Sequence, residues 1–204
     1  MPIRAGGEER NMNRIITISR EFGSGGRTIG RQVAEKLQIP CFDHELLDKI
    51  AEKSGLAKEY IAERGEYTPK GGWLATAFAD RSVNGLSVQD YLWTVQRKLI
   101  LEIAEKESCV IVGRCADYIL EGQVDLLKVF IHAPMADRAE RIVKLYGERE
   151  DSPEKRLRDK DKRRSAYYHF YTDMEWGKAQ NYHVALNSGV LGIDRCVEII
   201  ASMY

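Results

Sequence analysis

The sequence lacks both a long hydrophobic run and an excess of charge of one sign. No apolar stretch among the 204 residues approaches the roughly 20 residues that a membrane-spanning helix needs. Because 31 basic side chains balance 31 acidic ones, the formal net charge is zero, and the chain has no general attraction for nucleic acid or anionic lipid. We therefore expect neither nucleic acid nor a membrane as a partner. Any positive potential must be local.

Two further absences concern cysteine pairs and a sorting signal. The four cysteines form no C-x-x-C pair, and no histidine stands at zinc-ligand spacing from them. We therefore expect neither a structural metal nor a disulfide. Residues 1–13 lack the apolar core of a signal peptide, so we expect a disordered leader and a cytoplasmic protein.

Strand and helix patterns alternate from residue 14 onward. Apolar segments typical of strands covered on both faces are expected at 14–19, 39–42, 109–112, 127–132 and 182–186. Apolar residues at helical spacing predict helices at about 29–38, 43–54, 87–106, 136–171 (with a break near Gly147) and 193–203. This order predicts an α/β fold in which a parallel sheet carries helices on both faces, within a single domain spanning residues 14–204.

A glycine-rich turn follows the first strand. Residues 15–28 have the pattern of a buried strand, a turn and a helix start, which directs backbone N–H groups toward an anion. Three interpretations are open here: a phosphate loop, a dinucleotide-binding fingerprint, or a tight turn without a ligand. The phosphate-loop motif G-x-x-x-x-G-K-[ST] would place Gly26 where lysine belongs and Arg20 where its first glycine belongs. The dinucleotide fingerprint would need glycine at the position of Thr28.

A second candidate lies at the end of the third strand, which is followed by Gly113 and Arg114. Ligands of doubly wound sheets bind beyond the carboxyl ends of the strands, so Arg114 is expected in the same crevice as the glycine-rich turn. The alternative is an ion pair between Arg114 and a neighbouring carboxylate such as Asp117.

A third candidate is the basic stretch at 154–164, which has seven basic and three acidic side chains. In a helix, Arg156, Lys160 and Arg163 would share one face. Such a stretch is either a solvated helix face or a mobile lid whose cations reach a phosphoryl group when the lid closes. We expect the aromatic residues that follow to pack the lid against the body of the protein.

Taken together, these segments resemble the cytidylate kinase-like family of bacterial P-loop proteins. The resemblance rests on residues 16–27, on residues 110–117 and on the basic stretch that leads into Tyr167 and Tyr168. It implies the nucleoside monophosphate kinase fold, with a five-stranded parallel sheet in the order 2-3-1-4-5, an acceptor-binding insert at about 55–87 and an arginine lid at about 148–172. It also implies transfer of the γ-phosphoryl group of ATP, with Mg²⁺, to CMP or a related small acceptor.

The resemblance assigns site residues position by position. The ATP-binding phosphate loop would comprise Gly23, Ser24, Gly25, Gly26, Arg27 and Thr28, with Thr28 as the magnesium ligand. Acceptor binding would fall on Asp43, Arg114, Asp117 and Asp161. The family's lid pattern, Arg-Asp-x-x-Asp-x-x-Arg, is approximated by Arg158, Asp161 and Arg164, with Leu157 in place of the first arginine.

Two departures from the family pattern bear on activity. Gly26 stands where the phosphate-loop lysine belongs, and Val112 stands where an aspartate usually precedes the Gly-Arg pair. Arg27 is permanently charged and binds phosphate bidentately, so we expect it to supply the missing charge. The catalytic cations would then be Arg27, Arg114, Arg158, Arg163 and Arg164.

Two other functions stay open beside the kinase. One is a degenerate kinase that binds nucleotide without catalysis, and the other is an NAD-binding oxidoreductase, which would need a glycine at position 28 and no arginine lid. A dimer through the helix at 87–106 is compatible with the pattern but not required by it.

Overall fold

The computed structural model describes residues 13–43, 46, 49–50, 52–53 and 88–204. The expected insert at 55–87 and, except for residue 13, the expected leader lie outside the described residues. The strands are β1 (Arg14–Arg20), β2 (Cys41–Phe42), β3 (Cys109–Val112), β4 (Asp125–His132) and β5 (Val184–Asn187). The helices with full bounds are α1 (Gly26–Leu37), α2 (Val88–Lys106), α3 (Ala116–Ile119), α4 (Met135–Tyr146), α5 (Pro153–Thr172), α6 (Ser188–Leu191) and α7 (Ile193–Ser202), with a 3₁₀ turn at Ala179–Asn181.

The five strands form one sheet in the order β2-β3-β1-β4-β5, and every neighbouring pair is parallel. Both the parallel sheet and the order 2-3-1-4-5 are therefore confirmed. β1 is the central strand, and its register aligns Ile18 with Val112 of β3 and with Val129 of β4. The residues that follow β1 and β3 consequently meet at the carboxyl edge of the sheet.

Apolar residues on alternate positions of the central strands face two separate cores. Ile15 packs with Ile111 and with α2 and α3 on one face, whereas Ile16 and Ile18 pack with α1 and α7 on the other. All three isoleucines of β1 have no solvent exposure. The near-continuous apolar pattern of β1 thus reflects a strand covered on both faces.

Helix boundaries follow local signals where those signals are strong. The predicted break near Gly147 separates α4 from α5, and α5 begins with the Ser152 hydroxyl accepting a hydrogen bond from the Lys155 N–H (3.3 Å) and with Pro153 in its first turn. α1 begins at Gly26, earlier than its apolar stripe indicates, because Gly26 belongs to the helix and Gly25 is its N-cap. Among the helices that the structure describes, none combines the length and hydropathy needed to cross a bilayer.

Candidate active site

The glycine-rich turn between β1 and α1 forms an uncapped helix start. Gly23 and Gly25 adopt positive φ angles of 80° and 82°, which side-chain-bearing residues rarely adopt. Gly25 is the N-cap of α1, no side chain in the described part of the chain caps the helix, and its first turn has no acidic residue. The first backbone N–H groups of α1 therefore remain available to an anion, as expected of a phosphate loop.

A recess opens in front of this turn. Its described lining includes residues 20–23 and 25–28 of the turn, together with Arg141, Ile142, Leu145 and Tyr146 of α4 and Arg164 of α5. The Arg141 guanidinium donates to the Gly23 carbonyl at 2.6 Å, so α4 fixes the turn from outside. We call this the loop recess. It brings cationic side chains and uncapped backbone donors to one place.

The absence of a lysine at position 26 has a steric counterpart in the fold. A Cβ atom built on Gly26 would lie 2.5 Å from Cβ and 3.0 Å from Cγ of Arg20, at the end of β1. A Cβ atom built on Gly113 would overlap the guanidinium of the same arginine. The Arg20 side chain thus runs from the phosphate loop to the end of β3, through space that two glycines leave open.

Arg27, the cation expected to replace the lysine, lies beside Asp43. Its Nε is 2.6 Å from the Asp43 Oδ2, and the Arg31 guanidinium is 3.8 Å from the same oxygen. Asp43 is 8% exposed, whereas Arg27 is 38% exposed and contributes to the loop recess. The pair joins the start of α1 to the end of β2, and the roles assigned to both residues stay predictions.

A second recess lies at the end of β3. Its described lining is Ser19, Arg20, Gly113, Arg114, Cys115, Arg164, Tyr167, Tyr168 and Trp176, and we call it the strand recess. Arg114 and Cys115 have positive φ angles of 63° and 54°, and the buried Gln96 amide donates to the Arg114 carbonyl at 2.9 Å. Arg114 thus lines the strand recess and is not among the described lining of the loop recess, although Arg20 and Arg164 line both. Its expected role beside the turn stays a prediction. Burial raises the pKa of the Cys115 thiol, which disfavours a thiolate nucleophile here.

Helix α5 is fastened to the phosphate loop by Asp161. Its two carboxylate oxygens accept from the Phe22 N–H and from the Arg138 guanidinium, both at 2.7 Å. Arg138 is only 3% exposed and also lies 3.0 Å from Glu21, whose carboxylate accepts from the Ala133 N–H. This network joins the loop, α4 and α5. Asp161 thus attaches α5 to the turn and to α4 in this structure, and its expected role in acceptor binding stays a prediction.

Three arginines of α5, for which a lid role is predicted, lie in different surroundings. Arg164 reaches both recesses, donates to the Arg20 carbonyl (3.3 Å) and stacks over the Phe22 ring at 5.6 Å. Arg163 lines a wider groove together with Arg156 and Lys160, as their shared helix face predicts. This groove has Phe22 and Tyr146 in common with the loop recess. Arg158 is exposed and lines none of these three spaces. Of these three arginines, Arg164 is therefore the one that lines both recesses.

Asp117 lies beneath the strand recess rather than in its lining. It is 2% exposed, and its Oδ2 accepts a hydrogen bond from the Tyr168 hydroxyl at 2.8 Å. Burial raises the pKa of Asp117 against the opposing effect of this hydrogen bond, and burial likewise raises the pKa of Tyr168. In this structure Asp117 anchors α5 to α3, and its expected contact with an acceptor stays a prediction.

The residues present are compatible with a nucleotide and with a metal ion held mainly by phosphate. Thr28 is exposed at the start of α1 and lines the loop recess, so its hydroxyl can reach an ion bound to phosphate there. Within the described ranges, no group of three or more His, Cys, Asp or Glu side chains could hold a metal by itself. With these residues, a Mg²⁺ ion would be held mainly by the phosphates of a bound nucleotide, as is common in phosphate-binding sites.

Three arginines of the site were missed by the sequence interpretation: Arg20, Arg138 and Arg141. Arg20 was noted only as an irregular phosphate-loop residue, although its position at the carboxyl end of a central strand was a usable signal. Arg138 and Arg141 lie three residues apart on α4, and this spacing directs them to one face. No local pattern indicated that this face meets the loop.

Sequence comparisons show which known proteins this chain resembles. A family model described as the cytidylate kinase-like family matches residues 15–190. A cytidylate kinase of Archaeoglobus fulgidus is 30% identical over 189 residues, which cover 91% of each chain. A cytidylate kinase of Methanopyrus kandleri is 24% identical over 157 residues, covering 72% of this chain and 70% of the relative.

Solved structures agree at the level of the fold. The crystal structure of an uncharacterized protein from Eubacterium ventriosum superimposes with a TM-score of 0.71 at 27% identity, covering 94% of this chain and 98% of that one. A shikimate kinase from Bacteroides thetaiotaomicron matches with a TM-score of 0.55 at 19% identity, over 94% of this chain and 98% of its own. At that identity the likeness to the shikimate kinase shows a shared fold alone.

Proposed function

The chain belongs to the cytidylate kinase-like family, and from this premise we propose that it transfers the γ-phosphoryl group of ATP to a nucleoside monophosphate or a related small anion. The observation that carries the proposal is that two recesses at the carboxyl edge of the sheet share Arg20 and Arg164 in their linings. One recess has the features of a phosphate-donor site. The other presents cations to an acceptor.

The loop recess suits the triphosphate of ATP. The uncapped start of α1 offers backbone N–H groups, and the helix dipole adds positive potential at the same point. The Thr28 hydroxyl would hold Mg²⁺. When bound, the metal ion would neutralise part of the negative charge on the phosphate oxygens. The chain's own contribution is to hold the γ-phosphoryl group at the end of β1, next to the strand recess.

The strand recess suits an acceptor that is itself an anion. Arg20, Arg114 and Arg164 line it, and no carboxylate occurs among its described lining residues. An alcohol would need a base to take its proton, whereas an anionic phosphate oxygen can attack directly. In the transfer that we propose, an acceptor phosphate oxygen forms a bond to the γ-phosphorus while the bond to the β-phosphate oxygen breaks, so that ADP leaves and no proton moves.

CMP is the first acceptor to test, because the relatives that match over most of this chain are named cytidylate kinases. Asp43, Asp117 and Asp161 remain proposed acceptor-side residues. A cytoplasmic location would give such an enzyme access to ATP and nucleotides.

The second candidate is nucleotide binding without transfer, and Gly26 is the observation that favours it. Positioning dominates phosphoryl transfer, so a loop without its lysine can retain binding while it loses the rate. In that case closure of α5 over ATP would itself be the functional event.

A coupled ADP-release assay separates the two functions. The panel contains CMP, dCMP, UMP, AMP and GMP as phosphate acceptors, and shikimate and gluconate as alcohol acceptors. We expect the unmodified chain to turn over phosphate acceptors only, and we expect Arg114→Met to lose this activity. Arg195 is an exposed arginine on α7, so the control variant Arg195→Met should keep the activity of the unmodified chain. ATP binding without turnover of any acceptor would reject transfer and favour the non-catalytic function.

A further inference from the structure

Arg20 occupies the junction between the two recesses. It is the last residue of β1, where its backbone is paired with Ile131 of β4, so the base of its side chain is fixed by the sheet. Its side chain then crosses Gly26 and reaches Gly113, and it lines both recesses. A phosphoryl group that passes from one recess to the other would pass this guanidinium.

Arg20 and a lysine at position 26 exclude each other. A Cβ atom at position 26 would lie 2.5 Å from Cβ of Arg20, which is shorter than any normal carbon–carbon contact. The clash is with Cβ of residue 20, so any residue other than glycine at the end of β1 excludes a lysine side chain at position 26. In this chain that residue is an arginine, and its side chain lines both recesses.

Arg27 is less well placed for the same task. Its Nε lies 2.6 Å from Asp43, which follows β2, so the side chain is held on that side of the loop. Redirecting it would separate it from a carboxylate that is itself only 8% exposed. Arg27 lines the loop recess and is not among the described lining of the strand recess, whereas Arg20 lines both.

We propose that Arg20 is the phosphate-binding cation of this site, and that it performs from the strand end the role that a phosphate-loop lysine performs from the helix start. The inference rests on the proposed function for the identity of the ligand. A guanidinium presents several N–H donors in one plane and can bind two phosphate oxygens together, so it suits a position between two phosphate-bearing molecules. Arg164 adds a second cation, because it lines both recesses as well.

Calorimetric titration with ATP, and separately with inorganic tripolyphosphate, tests this role without an acceptor. We expect Arg20→Met to weaken binding of both ligands by about 10- to 100-fold, the loss typical of a hydrogen bond to a charged group. Arg20→Lys should recover part of that loss because it keeps the charge but not the paired donors. The control Arg195→Met should bind within about twofold of the unmodified chain, since Arg195 is 64% exposed, pairs with Glu198 and is not among the described lining of either recess.

Three outcomes overturn the inference. A folded Arg20→Met variant that binds tripolyphosphate as tightly as the unmodified chain shows that Arg20 does not contact phosphate. Equally weak binding by Arg20→Met and Arg20→Lys assigns it a packing role. Loss of tripolyphosphate binding in Arg27→Met with retention in Arg20→Met assigns the role to Arg27. If Arg20→Met does not fold, as judged by its circular dichroism, Arg20→Gln is measured against the same criteria.

The two proposals fail in different ways. Binding of ATP that depends on Arg20 without turnover of any acceptor rejects the kinase and keeps this inference. Turnover that survives Arg20→Met unchanged keeps the kinase and rejects the inference. Absence of binding of both ATP and tripolyphosphate by the unmodified chain rejects both.

Discussion

Gly26 lies under the Arg20 side chain, so position 26 has no room for the lysine that phosphate loops usually carry there. We expect Gly26→Lys to lower the free energy of unfolding by roughly 1–3 kcal/mol, because the new Cβ must displace backbone or Arg20, and we expect no gain in activity. Urea denaturation measures the first effect and the ADP-release assay the second. Arg31→Lys, at a position 59% exposed on the same helix, should leave stability nearly unchanged.

A double variant isolates the cause. Arg20→Ala would keep the colliding Cβ atom, so the partner change must be Arg20→Gly. If the collision is the cause, Arg20→Gly together with Gly26→Lys should be more stable than the sum of the two single effects allows. Simple additivity of the two effects would contradict this explanation.

Asp117 is a second position where a single side chain gives a measurable prediction. Burial raises its pKa above the ordinary value of 3.8, so the folded protein holds this proton more tightly than the unfolded chain does. The contribution of the protonated carboxyl is fully present below the ordinary pKa and is lost as pH rises through the raised one. The stability of the unmodified chain relative to Asp117→Asn should therefore fall with rising pH across that window, as urea unfolding at several pH values would measure. A relative stability that increases with pH would show that the Tyr168 hydrogen bond outweighs burial.

At the scale of elements, the attachment of α5 to the phosphate loop depends on one carboxylate. Asp161 accepts from the Phe22 N–H and pairs with the nearly buried Arg138. Asp161→Asn keeps an acceptor for the N–H but leaves Arg138 with Glu21 as its remaining carboxylate partner in this network. We expect a loss of about 1–3 kcal/mol in the free energy of unfolding, below the usual cost of breaking a buried pair, because Glu21 compensates part of the charge.

Urea denaturation and hydrogen exchange of α5 measure this effect. The matched control is Asp159→Asn on the same helix, since Asp159 is 50% exposed and lies 3.8 Å from Lys155, an arrangement worth little. Equal effects of the two substitutions would show that α5 is held by its apolar contacts rather than by the carboxylate network.

The elements also show how far the sequence could predict this molecule. The start of α5 and the buried strands β1 and β3 could be predicted because Ser152-Pro153 and continuous apolar runs are local signals. The course of the Arg20 side chain could not be predicted from the sequence. It depends on the positions of Gly26 and Gly113, which come to lie against this side chain only once the sheet has formed. The contact of Asp161 with Arg138 likewise joins two helices whose relative placement no spacing encodes.

At the scale of the whole molecule, a chain of zero net charge concentrates cations at one edge of its sheet. Arg20, Arg27, Arg114, Arg141 and Arg164 line the two recesses, although the 31 basic and 31 acidic side chains balance overall. Attraction for a polyanion must therefore arise locally and fall off within about 10 Å at moderate ionic strength. Binding should depend on the phosphates of the ligand far more than on its neutral parts.

Thermal unfolding with ATP and with adenosine tests this dependence on the intact chain. A ligand that binds only the folded state at 100 times its Kd stabilises it by about 2.7 kcal/mol. For a chain of this size that corresponds to a rise in Tm of roughly 5–10 °C. Adenosine at the same concentration should give a much smaller rise, because it lacks the groups that α1 and the arginines can bind, and added salt should reduce the ATP effect. An equal rise with adenosine and ATP would mean that the base, rather than the phosphate loop, dominates binding, and would contradict the assignment of the loop recess to phosphate.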